Sequence, residues 1–425
     1  MTKQNRQAVF AGVLGNTLEW YDFALYGHFS VIIGQTFFPK EDPQIAMVAA
    51  FAVFSVSFFM RPLGALFFSY LGDRFGRKRA LALSMIGMAI PTAGIGVLPS
   101  YADWGVLSTI GLLVLRLLQG LSVGGEMGGA VTYVMEHTPR HRVGFASSLL
   151  QSSTCLGLLA GTIVSALLSY VLGPEEFQQY GWRIPFVLGL LAAWLGFRIR
   201  RRMPESELYE SAKREARLVK NPVARVIKTQ PKEILLGVVI LIPMTATFFL
   251  AFVYFNSFMM TSLKLVAGES LMITSSGLVL SILCTLLGGW LSDRIGPRRL
   301  LMVGAFALFL GIGPILETFA RSHSIPLIIG AFLLLSILIG IYTSAVFGTV
   351  AGLFGTEIRF SGVSLTVNLA SPVFGSTAPL LSAWLVESLG LPLGLEVLSV
   401  YFMLLCLLAL VAIRRIQHAH YPDWK

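Results

Sequence analysis

Charge is scarce in this 425-residue chain: Asp, Glu, Lys and Arg together make up 13% of it, about half the roughly 25% usual in a soluble domain. Cysteine is scarcer. Cys155, Cys284 and Cys406 lie far apart inside apolar runs, with neither a CxxC pair nor metal-ligand spacing, so a disulfide scaffold and a cysteine-held metal are both excluded. No phosphate-binding Gly-Lys-Ser/Thr loop is present, which disfavours an ATP-driven pump. No nucleophile motif or His/Cys cluster marks an enzyme either. A removable leader is not expected, because the first apolar run is too long and carries Glu19 and Asp22. What the chain has instead is apolar residues: 55% of its length, with a mean hydropathy of +0.75. That excludes a water-soluble fold and leaves a polytopic membrane protein.

A helix needs about 20 apolar residues to cross the hydrocarbon core. Twelve such runs fall between residues 8 and 414, so the expected fold is all-α, with twelve transmembrane helices and both termini on one side. The basic residues choose the side. With the termini cytoplasmic, 26 Lys and Arg face the cytosol, four face outward, and Arg61 and Arg116 lie inside spans. That asymmetry is the positive-inside pattern. The net charge of +10 therefore answers to anionic lipid, and no nucleic-acid partner is needed.

A repeat divides the chain. LGDRFGRKR at 71–79 recurs as LSDRIGPRR at 291–299, each between the second and third spans of a six-span half. A weaker echo links Arg142-Val-Gly-Phe to Arg359-Phe-Ser-Gly-Val, each opening a fifth span. The organisation is a six-helix bundle over 1–200, a basic cytoplasmic linker over 201–232, and a second bundle over 233–425. Paired halves of this kind are built for alternating access.

At these residues the chain resembles the major facilitator superfamily, whose most widespread signature looks like the 71–79 loop. The resemblance narrows to the metabolite:proton symporters, which include carriers of citrate, 2-oxoglutarate, shikimate and proline/betaine. The matching residues are GNTLEWYDF at 15–23 with Tyr26 and Gly27, RPLG at 61–64, RLLQGLSVGGE at 116–126, GWRIPF at 181–186, and RFSG at 359–362 with Asn368, Phe374 and Gly375. It implies a multi-pass protein of the inner (plasma) membrane that moves a small solute with protons. No cofactor beyond the proton gradient and no metal are expected, and a monomer is.

Ionisable groups inside a span are costly, so each is a functional candidate. Glu19, Asp22, Arg61, Arg116 and Glu126 form two neighbouring layers near mid-membrane by helical rise. Asn16, Glu19, Asp22 and Tyr26 share one face of the first span; Arg116, Gln119 and Glu126 share one of the fourth. Three carboxylates against two guanidiniums leave one negative charge. One carboxylate is therefore expected to exchange a proton: Asp22 first, as the position the family uses here, then Glu126, then Glu19. The alternative is that Glu19, Arg61 and Glu126 only pair to hold helices. Arg116 presents a planar fork suited to a substrate carboxylate, or serves as counter-ion to Asp22. Gln119, Tyr26, Asn16, Gln151 and Asn368 are the neutral substrate contacts expected. Gly120, Gly124 and Gly128 read as close helix packing.

The resemblance also implies a cytoplasmic gate at Asp73, Arg74, Gly76, Arg77 and Arg79, echoed by Asp293 and Arg294. An acidic side chain there can cap a facing helix N-terminus. The preferred solute is an organic acid of the di- or tricarboxylate kind. The alternatives are proline/betaine-type osmolyte uptake and a transporter-like sensor that binds without moving its ligand.

Overall fold

The computed structural model describes residues 3–39, 43–202, 205–215, 219–265 and 267–416. Twelve long helices account for the expected spans: α1 Lys3–His28, α2 Pro43–Phe75, α3 Arg77–Val97, α4 Val106–Glu136, α5 Val143–Glu176, α6 Arg183–Arg202, α7 Pro231–Met260, α8 Ala267–Ile295, α9 Pro297–Arg321, α10 Ile325–Ala351, α11 Arg359–Leu389 and α12 Leu391–Arg415. Among the described residues, nine of these are long and apolar enough to cross a membrane. The other three are α1, α2 and α6, which bear Glu19 and Asp22, Arg61, and an arginine-rich end. The helices divide into two compact units, residues 1–137 with 153–223, and residues 138–152 with 224–425. The first turns of α5 thus group with the second unit, and the division near 223 falls within the basic linker.

In the first unit the backbones of α2 and α4 meet at glycine. A Cβ on Gly120 would stand 2.1 Å from the Ser57 carbonyl oxygen, and one on Gly124 would stand 2.2 Å from that of Arg61. Only a residue without a side chain fits there, which brings the Arg61 region of α2 directly against α4. The core beyond it collects Leu25, Tyr26, Phe29 and Phe37 with Trp182 and Phe186. Arg183, between the last two, donates to the Gly96 and Leu98 carbonyls at 3.1 and 2.7 Å. A guanidinium there satisfies carbonyls that the end of α3 leaves open. That is the structural content of the GWRIPF segment.

The second unit is held by aromatic packing. Phe255 stacks on Phe332 with centroids 4.7 Å apart and meets Phe319 at 4.3 Å. The Tyr342 hydroxyl donates to the Ile240 carbonyl at 2.7 Å. Wider π-type turns interrupt α7 at Leu250–Tyr254 and α11 at Ser371–Gly375. The second contains Pro372, which cannot donate within a helix. The two interruptions are neighbours, since Gly375 lies against Thr245 and Phe249 of α7.

Both copies of the repeated loop turn the same way. Gly76 and Gly296 have φ of 110° and 94° with ψ of 146° and 141°, backbone that a Cβ would strain. Each opens the next helix.

Candidate functional site

Two charged layers sit inside the first unit, and α1 supplies an acid to each. In one, Asp22 Oδ2 faces Arg116 Nη1 of α4 at 3.8 Å. Gln119, one turn on from Arg116, accepts from that same Nη1 at 2.7 Å through its side-chain oxygen. Its amide nitrogen donates to Asp22 Oδ2 at 3.0 Å and to Thr92 Oγ1 of α3 at 2.7 Å. Thr92 passes its own hydrogen to the Met88 carbonyl at 2.9 Å. The Arg116 guanidinium lies over the Tyr26 ring, 3.7 Å from its centroid, a cation–π contact strengthened by the loss of water. Asp22, Tyr26, Arg116, Gln119 and Thr92 are all buried.

In the second layer Glu19 pairs with Arg61 of α2 at 3.7 Å. Arg61 is sandwiched by Phe23 and Phe58, whose centroids lie 4.7 and 4.4 Å away. Glu126 is buried and accepts from the Ser84 hydroxyl of α3 at 2.7 Å. Asn16 donates to Ser153 and Thr154 of α5 at 2.7 and 3.0 Å. Buried charges persist only where paired and hydrogen-bonded. Here Asp22 and Arg116 are paired, as are Glu19 and Arg61, and Glu126 is hydrogen-bonded by Ser84.

The structure thus joins Asp22, Arg116, Gln119 and Tyr26 in one network, and Glu19 with Arg61 in another. Asn16 is tied to α5. Gln151 is buried on α5 but groups with the second unit, as does Asn368, whose amide turns back to the Ser364 carbonyl at 2.8 Å. Thr92, Ser84 and the Phe23–Phe58 sandwich went unread in the sequence. Thr92 had a signal in Pro91-Thr92, a polar residue beside a proline within a span; the others had none.

At the repeated loop of the first unit, Arg77 is wholly buried. It forks onto Glu136 with two contacts of 3.3 Å, reaches Asp73 at 3.3 Å and donates to the Gly72 carbonyl at 2.9 Å. Glu205, from the linker, accepts from the backbone N–H groups of Arg77 and Lys78 at 3.1 to 3.4 Å. It thereby caps α3, a task for which Gly76 has no side chain. Tyr209, on the linker helix Glu207–Arg214, sets its ring against Arg77 and donates its hydroxyl to the Arg74 carbonyl at 2.9 Å. Burial pushes the Glu205 carboxyl above its ordinary range, against the backbone donors and Arg77. Arg74 donates to the Lys220 carbonyl at 3.2 Å, and Arg79 is exposed.

In the second unit Asp293 accepts from the Gly144 and Phe145 N–H groups at 2.7 and 3.1 Å, which is the helix cap expected of it. Arg294 stacks on Trp290 at 3.6 Å. Pro297 stands where the first copy has Arg77, so the buried ion-pair cluster belongs to the first copy alone. Among the described residues no group of three or more His, Cys, Asp or Glu could hold a metal ion.

A family model described as "Sugar (and other) transporter" matches residues 8–228. The proline/betaine transporter of Salmonella typhimurium is 35% identical over 393 residues, covering 90% of this chain and 78% of that protein. The glycine betaine/proline/ectoine/pipecolic acid transporter OusA of Dickeya dadantii is also 35% identical, over 392 residues, with the same coverage. Among solved structures, the proton:xylose symporter XylE bound to 6-bromo-6-deoxy-D-glucose aligns with a TM-score of 0.81 at 17% identity, covering 96% of this chain and 94% of that one. That likeness concerns the fold. With paired charges buried in its helices and this kinship along nine-tenths of its length, the chain belongs to the major facilitator superfamily of membrane transporters, as a multi-pass protein of the inner membrane in the branch that holds the proline/betaine transporters.

Proposed function

We propose that the chain imports a small zwitterion of the proline/betaine kind together with protons. One observation carries this reading: a buried carboxylate and a buried guanidinium, Asp22 and Arg116, lie 3.8 Å apart on α1 and α4. Arg116 offers a planar fork for the carboxylate of a zwitterion, Asp22 beside it is the carboxyl whose protonation frees that fork, and the carboxylates of the neighbouring layer supply the negative field for its cationic centre. Three carboxylates against two guanidiniums leave these layers acidic, which opposes a di- or tricarboxylate. The relatives' names support the same class, and nothing in them singles out an organic acid. The preference accordingly moves from organic acid to osmolyte.

Coupling follows from electrostatics. A proton on Asp22 cancels the charge facing Arg116, and the guanidinium then attracts the substrate carboxylate more strongly. Proton and solute each raise the other's affinity, and the effect is reciprocal by linkage. Glu19 and Glu126 are the other carboxylates placed to take up protons. Asp73, Arg74, Gly76, Arg77 and Arg79, with Asp293 and Arg294, are assigned to gating.

The test is uptake of labelled proline, glycine betaine and citrate into proteoliposomes under an imposed proton gradient. Proline or betaine should accumulate, and an ionophore should abolish the accumulation. Accumulation of citrate instead, or accumulation that survives the ionophore, would refute the proposal.

A further inference from the structure

Gln119 was expected to touch substrate, yet its three polar contacts are all made inside the protein. Arginine has no acceptor, so the Gln119 group at 2.7 Å from Arg116 Nη1 must be the oxygen. The amide nitrogen must then face Asp22 and Thr92. Thr92 donates to the Met88 carbonyl and also lies within hydrogen-bond reach of Asp22. The orientation of the Gln119 amide is thereby fixed, and both of its hydrogens are used. Asp22 Oδ2 accepts from Gln119 and faces Arg116 at 3.8 Å, while Oδ1 is buried without a hydrogen-bond partner.

We propose that Gln119 is a positioning residue: it confines proton uptake to Oδ1 of Asp22 and holds the Arg116 guanidinium in place whether Asp22 is charged or neutral. The inference rests on the proton role assigned to Asp22 above. The groups facing Asp22 are Arg116 and Gln119 on α4, Thr92 on α3, and Tyr21 and Tyr26 on its own helix. The next charges are Arg61 on α2, which interacts with Arg116, and its partner Glu19 on α1. An arriving proton bonds to Oδ1 and leaves Oδ2 as the carbonyl oxygen, still accepting from Gln119. No other bond changes. Arg116 loses its ionic partner but keeps the 2.7 Å contact to Gln119, so the fork stays aimed for a solute carboxylate. The same proton later departs from Oδ1 as solute leaves.

Two measurements on the full-length protein test this. In infrared difference spectra between acid and alkaline buffer, a protonated-carboxyl C=O band should vanish in Asp22→Asn. In Gln119→Met, of similar length but without a donor, that band should move to higher wavenumber. In proteoliposomes the pH profile of uptake should move toward alkaline pH by about one unit in Gln119→Met, since a donor to the charged form is lost. Gln119→Glu, which keeps the Arg116 contact and the side-chain volume, should move it the same way, should the methionine variant fold poorly. If Asp22→Asn removes no band, the proton role of Asp22 falls. If the band vanishes there but stays unmoved in Gln119→Met, or if that variant raises KM with an unaltered pH profile, the positioning role falls while the role of Asp22 stands.

Discussion

Replacing Arg77 with Met removes a buried cation from a group that contains Asp73 and Glu136, with Glu205 beside it. Methionine fills the stem of the arginine, so packing changes little and the effect is electrostatic. Arg77 shows no solvent exposure, and neither do the Asp73 and Glu136 side chains. Its three contacts with them, each 3.3 Å, disappear together and leave two carboxylates facing each other. Breaking a buried ion pair from one side costs about 3–5 kcal/mol, because a charge is stranded without water or partner. In a domain of about 200 residues each kcal/mol is worth about 2–4 °C, so Arg77→Met should lower the unfolding temperature in detergent micelles by roughly 10 °C. The sharper test is the double variant. Glu136→Gln by itself leaves Arg77 balanced by Asp73, so its cost is small. Added to Arg77→Met it removes one stranded charge, and the double variant should be more stable than Arg77→Met alone. A deficit equal to the sum of the two single deficits would mean that the residues act independently, and the reasoning would fail.

Three further outcomes follow from the same geometry. Arg116→Lys puts a point charge where a fork stood over Tyr26, so the apparent affinity for a carboxylate-bearing solute in vesicle uptake should fall about tenfold, the equivalent of about 1.4 kcal/mol; unchanged affinity would leave Arg116 as a counter-ion only. Gly124→Val sets a branched side chain against the Arg61 carbonyl oxygen and the α2 backbone, which cannot yield as a flexible side chain can, so the yield of folded protein by size-exclusion should collapse, whereas Gly27→Ala, with nothing within 4 Å, should behave as wild type. Glu205→Gln should stabilise the protein at pH 8 and progressively less toward pH 5. A carboxyl raised by burial contributes its stability below its unfolded pKa and loses it as pH rises through the folded one. A gain that grows on acidification would contradict this assignment.

The linker illustrates what a single sequence hides. Residues 201–232 read as a basic tether because Lys and Arg dominate the count. Glu205 and Tyr209 look like ordinary surface residues there, yet they cap α3 and cover Arg77. Their partners lie some 130 positions earlier in the chain, and no local pattern encodes that distance. The two charged layers were legible for the opposite reason. A Glu, Asp or Arg inside an apolar span is conspicuous, and helical rise and rotation place it in depth and direction. Partner choice was half legible: Asp22 with Arg116 follows from depth, whereas Ser84 beside Glu126 depends on how α3 leans on α4.

Composition and periodicity determined the solvent, the twelve helices, the sidedness and the internal repeat, because a bilayer punishes every polar group that a helix fails to satisfy. The repeated loop was read from the sequence, whereas the positive φ that its two glycines share came from the structure. Tertiary structure alone decided that Gln119 would spend all its hydrogen bonds on Asp22, Arg116 and Thr92, and that Glu205 and Tyr209 of the linker would close over Arg77. A side chain's partners are set by which helix faces it across a few ångströms, and that is fixed by the packing of whole helices, not by the spacing of residues along any one of them.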